Sequence, residues 1–335
     1  MIQAVILGAS GYVGGELLRL LAAHPQLDAG PLVAASSAGA AVAELHPHLA
    51  LAYPDARFEP WEPALLDGAD VVFAALPHGE SQRLADALIG SGAKVVDLGA
   101  DFRLDSADAY AEWYGETHLR PDLIGKFVYG LPEFHRAAIA GADLVAAPGC
   151  YATAANLALR PLVDAGVIER SGIIVDAASG ASGAGRAPND GTLYGRIEGS
   201  YRAYGLTRHR HTAEMEMTTG AQVLFTPHLM AASRGILATC YAHATGPCDP
   251  LAILREAYAG ERFVHVGEAP PETKWASGSN AAFLSARYDE RTNRVITLAA
   301  IDNLGKGAAG QMIQCANLMF GLDEGAGLST MGVCP

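Results

Sequence analysis

Ile2-Gln3-Ala4-Val5-Ile6-Leu7-Gly8-Ala9-Ser10-Gly11-Tyr12-Val13-Gly14-Gly15 opens the chain, an apolar run that ends in glycines spaced G-x-x-G-x-x-G. An apolar run this short and unbroken predicts a strand buried on both faces. Glu16 to Ala23 continues with helical apolar periodicity. Strand, glycine turn and helix in that order are what a dinucleotide site needs: glycine lets the backbone approach a pyrophosphate, whose charge rests on the helix N-terminus. A tight strand–helix turn without a ligand is the competing reading, and the spacing differs from G-x-G-x-x-G. Gly8, Ser10, Gly11, Tyr12 and Val13 are the candidate cofactor contacts on this turn.

Working outward, Leu32 to Ala35, Val71 to Ala75 and Lys94 to Leu98 read as buried strands, with Ser81 to Ile89 as an intervening helix. Alternating strands and helices predict a parallel, doubly wound, Rossmann-like sheet. The pattern changes after residue 150. Ile173 to Ala177, Gln222 to Thr226 and Gly235 to Ala244 read as strands, and Ala281 to Tyr288 and Arg294 to Ile301 flank the polar run Asp289-Glu290-Arg291-Thr292-Asn293 as a hairpin. The expected fold is therefore α/β: a Rossmann-like nucleotide domain over residues 1–148, and an α+β catalytic domain with a mostly antiparallel sheet over 149–307. A closing helix, strongest from Ala308 to Phe320 and assigned to the segment 308–335, is expected to return to the first domain.

At that boundary stands Ala147-Pro148-Gly149-Cys150-Tyr151-Ala152-Thr153. Leu144 to Ala147 reads as a strand end, and Ala152 to Arg160 as a helix that Pro161 kinks or ends. A thiol at a helix start feels unpaired N–H groups and the positive end of the macrodipole, which favour thiolate. Such a thiolate can attack an activated carbonyl while nearby N–H groups hold the oxyanion. A small buried hydrophobe is the alternative.

Composition narrows the classes. In 335 residues, half of them hydrophobic, there is material for two cores. The net charge of −13 argues against nucleic acid and anionic membrane as partners. Five scattered cysteines make no disulfide framework and fit a reducing cytoplasm. No signal-peptide pattern precedes the first strand. The apolar stretch Val223 to Ala242 contains Pro227, His228 and Arg234, so it is not a membrane span. His46 and His48 lack further ligands nearby, and no metal is expected.

Pro148-Gly149-Cys150-Tyr151-Ala152-Thr153, Ser182-Gly183-Ala184-Gly185-Arg186 and His209-Arg210-His211-Thr212-Ala213-Glu214 resemble the signatures of the N-acetyl-gamma-glutamyl-phosphate reductase family, in the aspartate-semialdehyde dehydrogenase superfamily. Leu76-Pro77-His78-Gly79, Gly99-Ala100-Asp101-Phe102-Arg103, Tyr129-Gly130-Leu131-Pro132-Glu133 and Asn303-Leu304-Gly305-Lys306-Gly307-Ala308 extend the resemblance along the chain. Many relatives carry Pro in place of Ala213 and Ile in place of Met215. The resemblance implies reduction of a small-molecule acyl phosphate in arginine biosynthesis through a thioester on Cys150. His211 is the implied acid/base, oriented by Glu214, with His209 as its rival. Imidazole suits both proton steps near neutral pH. Leu76, Pro77, Ser182, Gly183 and Asn303 join the cofactor contacts. Arg103 is the candidate for the acyl phosphate, and Arg234 for a substrate carboxylate or a structural ion pair. A homodimer or homotetramer is expected. A nucleotide sensor lacking catalysis would have no use for the thiol and histidines, and a cysteine hydrolase none for the glycine turn.

The expected cofactor is NADP. An NAD site places an acid about 20 residues beyond the glycine turn, whereas here the second strand runs out in Val33-Ala34-Ala35-Ser36-Ser37-Ala38-Gly39. The Ser36 and Ser37 hydroxyls can donate to a 2′-phosphate. A related branch reduces aminoadipyl phosphate tethered to an acidic carrier in lysine biosynthesis. The charge of −13 disfavours docking such a carrier, so a free substrate is expected.

Overall fold

The computed structural model describes residues 1–334, which divide into two compact units. The first holds Met1–Pro148 and Ala308–Leu328, and the second Gly149–Gly307 with the residues from Ser329 on.

The first unit is built on six strands: β1 (Ile2–Leu7), β2 (Leu27–Val33), β3 (Val71–Ala74), β4 (Lys94–Asp97), β5 (Val128–Tyr129) and β6 (Leu144–Ala146). They pair in the order β2-β1-β3-β4-β6-β5, all parallel. Alternation along the strands feeds two cores. Ala4, Ile6, Val71 and Phe73 join Leu17 and Leu18 of the helix Tyr12–Leu21 and Met312 and Ile313 of the helix Gly310–Met319. Val5, Leu7, Val72 and Ala74 face Ala85 and Leu88 of the helix Glu80–Gly90. A sheet buried on both faces explains the unbroken apolar runs. β2 starts earlier than its residues suggest, because Gly30-Pro31 lies within it at a register shift against β1. As an edge strand it tolerates proline.

The second unit carries β7 (Ile173–Ser179), β8 (Tyr201–Ala203), β9 (Val223–Met230), β10 (Ile236–His243), β11 (Val264–Val266), β12 (Ala282–Asp289) and β13 (Arg294–Ile301). Their order is β11-β12-β13-β10-β7-β9-β8, with β11·β12 and β7·β9 parallel and the rest antiparallel. The helix Cys150–Asp164 packs on β10 and β13. β9 runs through Pro227 rather than stopping at Thr226. The Pro227 carbonyl accepts from Tyr204 N–H at 3.0 Å, past the end of short β8, so the missing donor points to that side and no β7 ladder bond is lost.

Two expectations need correction. Pro161 does not end the Cys150 helix, which continues through it to Asp164. Proline removes the N–H that would reach the Leu157 carbonyl. The Tyr258 hydroxyl donates to that carbonyl instead at 2.6 Å, and Thr297 Oγ1 donates to the Ala158 carbonyl at 3.3 Å. The closing helix does not fill 308–335. A π turn covers Gly305–Ala309, the α-helix covers Gly310–Met319, and Gly321, Gly325 and Gly327 lie in the irregular chain that follows. From Ser329 on, the chain belongs with the second unit, where the Ser329 carbonyl accepts from Asn280 N–H. Pro335, the last residue assigned to that segment, lies outside the described residues.

Candidate active site

In the second unit the chemistry gathers at the start of the Cys150 helix. Cys150 is its first residue and half-buried, and Gly149 is the N-cap with no capping side chain. The N–H groups of Tyr151 and Ala152 stand in the first turn, where no intrahelical acceptor exists. Gly149 is required by close approach, because a Cβ there would land in the His211 imidazole. The ring thus lies against the backbone immediately before the thiol.

Glu214 ties this corner together. Fully buried, it accepts the Gly149 N–H on Oε2 at 2.9 Å and turns Oε1 to within 4.0 Å of His211 Nε2. His211 and Glu214 share the first turn of the helix His211–Thr219, so i,i+3 spacing brings them to one face. Both residues therefore meet the Cys150 helix through one carboxylate.

His209 sits behind them. Its Nδ1 accepts the His211 backbone N–H at 3.2 Å, and its ring packs edge-on to His211 and Tyr151. Burial pushes its pKa down to about 3, with His211 and Arg210 adding to the effect. It is therefore neutral at physiological pH. The Tyr151 hydroxyl donates to the His228 carbonyl at 3.0 Å and accepts from Tyr204 at 3.1 Å. Burial pushes Tyr204 up to about 12, so it stays a neutral donor.

Beside the thiol, a Cβ on Gly307 would stand 2.8 Å from Cys150 Cβ, so the π turn presses bare backbone against it. The preceding Asn303 donates from Nδ2 to Ser182 Oγ at 2.8 Å and accepts the Gly235 N–H at 2.7 Å. This joins the Ser182–Gly183 loop to Asn303, as three separated candidates brought to one place. Arg234 is an ion-pair residue: Nη1 meets buried Asp302 Oδ2 at 2.9 Å.

The first unit carries the glycine turn. Gly8 has φ +79°, and a Cβ would overlap the Ala75 carbonyl oxygen, so only glycine fits. Gly11 caps the helix Tyr12–Leu21 with no side-chain bond, and a Cβ there would touch only the Gly8 carbonyl oxygen at 3.4 Å. The turn thus presents an open backbone surface and the helix-start N–H groups of Tyr12 and Val13, which suits a dinucleotide pyrophosphate. Ser36 and Ser37 lie in the turn after β2, and Leu76 and Pro77 follow β3. All are at the carboxyl ends of the strands, where ligands bind open α/β sheets. Arg103 is buried and donates from Nη2 to the Leu98 carbonyl at 2.6 Å.

Three features escaped the sequence. His46 packs beneath the glycine turn and bonds the Ala9 carbonyl through Nε2 at 3.2 Å. Asp97, at the end of β4, has its carboxyl raised to about 6 by burial while accepting from Ser81 Oγ and Gly99 N–H. Neither residue stands in a recognisable motif. The Tyr151–Tyr204 pair has no local signal either, since the partners are 53 positions apart. Among the described residues no group of side chains is arranged for a metal ion, and no helix is long and apolar enough to cross a membrane.

Comparison with known proteins follows both units. Residues 3–142 match the semialdehyde dehydrogenase NAD binding domain, and residues 150–303 the semialdehyde dehydrogenase dimerisation domain. The N-acetyl-gamma-glutamyl-phosphate reductase of Symbiobacterium thermophilum is 47% identical over 99% of this chain and 98% of its own. That of Heliobacterium modesticaldum is 43% identical over the whole of both. The aspartate semialdehyde dehydrogenase II of Vibrio cholerae superposes with a TM-score of 0.71 over 96% of this chain and 98% of its own, at 17% identity, a likeness of fold. The chain belongs to the semialdehyde dehydrogenase family and to its relatives the N-acetyl-gamma-glutamyl-phosphate reductases.

Proposed function

We propose that the chain reduces N-acetyl-glutamyl 5-phosphate to N-acetyl-glutamate 5-semialdehyde and phosphate, with NADPH, in arginine biosynthesis. The observation that carries this reading is the Glu214 carboxylate joining the Cys150 helix start to His211. The full-length likeness to reductases of that name supports the substrate.

Cys150 thiolate attacks the acyl carbon, the new C–S bond forms, and the C–O bond to phosphate breaks. NADPH held at the glycine turn would supply the hydride that reduces the thioester to a thiohemiacetal. The Tyr151 and Ala152 N–H groups face the oxygen that carries charge in both tetrahedral species. His211 gives the proton that the hydride adduct needs and takes it back as the adduct collapses to aldehyde and thiolate. Glu214 holds the imidazole in position. His209, kept neutral by burial, is a positioning residue, which separates it from its rival.

Gly8, Ser10, Gly11, Tyr12 and Val13 are assigned to the pyrophosphate, Ser36 and Ser37 to the 2′-phosphate, and Leu76, Pro77, Ser182, Gly183 and Asn303 to the rest of the cofactor. Arg103 is assigned to the acyl phosphate. Arg234 is assigned to supporting Asp302 rather than to substrate, because its guanidinium is already engaged. The domains are assigned as a nucleotide domain over 1–148 with the helix Gly310–Met319, and a catalytic domain over 149–307.

The dimerisation-domain match makes an oligomer the expected state. We assign a homodimer or homotetramer of a cytoplasmic enzyme with no nucleic-acid or membrane partner, supported by five cysteines outside any disulfide and the net charge of −13. A free substrate is favoured over a carrier-linked aminoadipyl phosphate on the same charge argument. Phosphate-dependent oxidation of N-acetyl-glutamate 5-semialdehyde by NADP tests the reading. Wild type should turn over and Cys150→Ser should not; activity confined to carrier-linked substrate would refute it.

A further inference from the structure

The turn after β2 is not alone at its position. Residues Ala56 to Glu59 run extended beside it and are clipped to both of its flanks. Glu59 N–H donates to the Leu32 carbonyl and Ala34 N–H to the Glu59 carbonyl, at 2.8 and 3.0 Å. On the far flank, Gly39 N–H donates to the Phe58 carbonyl, Phe58 N–H to Ala40, and Val42 N–H to Ala56. An extended segment sends alternate side chains to opposite faces. Phe58 is buried in the core, so Arg57 and Glu59 share the outer face, and both are exposed. The Arg57 guanidinium folds over the turn and donates from Nη1 to the Gly39 carbonyl at 2.8 Å.

Building on the NADP reading, we infer that Arg57 is the cationic ligand of the cofactor's 2′-phosphate and that Glu59 limits its selectivity. The turn itself has hydroxyls in Ser36 and Ser37 but no cation, and hydroxyls alone do not balance a phosphate dianion. Arg57 is the side chain that the clip delivers to this turn, with its position fixed through Gly39. A guanidinium keeps donors beyond the one already used, in a fork that matches phosphate. Glu59 stands on the same face and repels the phosphate. Its carboxylate, carried beside the end of β2 by the Val33–Glu59 bridge, is also where an acid could accept a ribose 2′-hydroxyl. The pair therefore sets a modest preference for NADP, and removing either charge shifts it in opposite directions.

The test is calorimetric titration of the intact protein with adenosine 2′,5′-bisphosphate and with AMP, so that no catalytic step is involved. Arg57→Met should weaken the bisphosphate by about 10- to 100-fold, the range of a charge-assisted hydrogen bond, and AMP by less than about twofold. Arg57→Lys should retain part of the preference, and Glu59→Gln should tighten the bisphosphate by a few-fold. Equal weakening of both ligands by Arg57→Met, or none, would overturn the assignment of Arg57 while leaving the cofactor reading intact. Wild type that binds neither ligand, or AMP better, would overturn both.

Discussion

The glycine turn of the first unit and the thiol corner of the second solve opposite problems. Around Gly8 and Gly11 the chain removes side chains so that bare backbone can meet a ligand, and the working groups are N–H bonds within a few residues. Around Cys150 it gathers side chains from positions 150 to 214 and buries the Glu214 carboxylate that links them to the Gly149 backbone. Glycine serves both, for different reasons. Gly8 answers a backbone requirement, a positive φ, whereas Gly149 makes room for an imidazole. A local site depends on conformation; a convergent site depends on packing between elements.

The largest expected effect breaks the second site alone. Cys150→Ser should lower turnover by at least about three orders of magnitude, as loss of a covalent nucleophile does, with AMP binding unchanged. Gly149→Ala comes next, because its Cβ displaces His211. We expect a loss of about 10²- to 10⁴-fold in kcat, the range for general acid–base catalysis, with little change in the KM for NADPH. Gly11→Ala is the mirror image. Its Cβ makes ordinary contact with its surroundings, so the protein should fold with nearly wild-type Tm while AMP binding weakens. If Gly149→Ala weakened AMP binding and Gly11→Ala did not, the contrast between the two regions would fail.

Smaller effects sharpen the packing side. His209 has a depressed pKa in the native state, so between about pH 6.5 and 3 the unfolded chain binds the proton and the folded one does not. Its contribution is whole above the unfolded value and is lost as pH falls, with a slope of up to about 1.4 kcal/mol per pH unit. Denaturant unfolding from pH 7 to 5 should show a shallower slope for His209→Gln than for wild type. Tyr258→Phe leaves the Leu157 carbonyl without its donor, at a cost of about 1–3 kcal/mol. Adding Pro161→Ala should recover part of that loss, since residue 161 regains the N–H that the carbonyl needs. No recovery would mean that the hydroxyl does not stand in for the helical bond.

The same contrast explains what the sequence revealed. β1, β3, β4 and the glycine turn are local patterns and were legible almost to their ends. The thiol and its histidines were recognisable as motifs, but their sequence could not divide the roles of His209 and His211. The proposed division rests on packing that sequence does not show: the His209 ring lies edge-on to Tyr151 and Phe225, and burial holds its pKa down. Prolines misled in a consistent way. Pro31, Pro161 and Pro227 each sit inside an element because the lost bond falls on an edge, is replaced by a side chain, or points past a short neighbour. Arg57 was invisible as a neighbour of the turn after β2, since only the Val33–Glu59 and Ala41–Arg57 bridges and the hydrogen bonds around them bring the two stretches together.

Passage of the acyl group through Cys150 can be tested in a single turnover. N-acetyl-glutamate 5-semialdehyde and NADP are mixed with the enzyme in the absence of phosphate, so that the thioester has no acceptor. A burst of about one NADPH per active site is expected, with the acyl group recovered by mass spectrometry on the peptide that contains Cys150. No burst, or a burst with the acyl group on another residue, would contradict it.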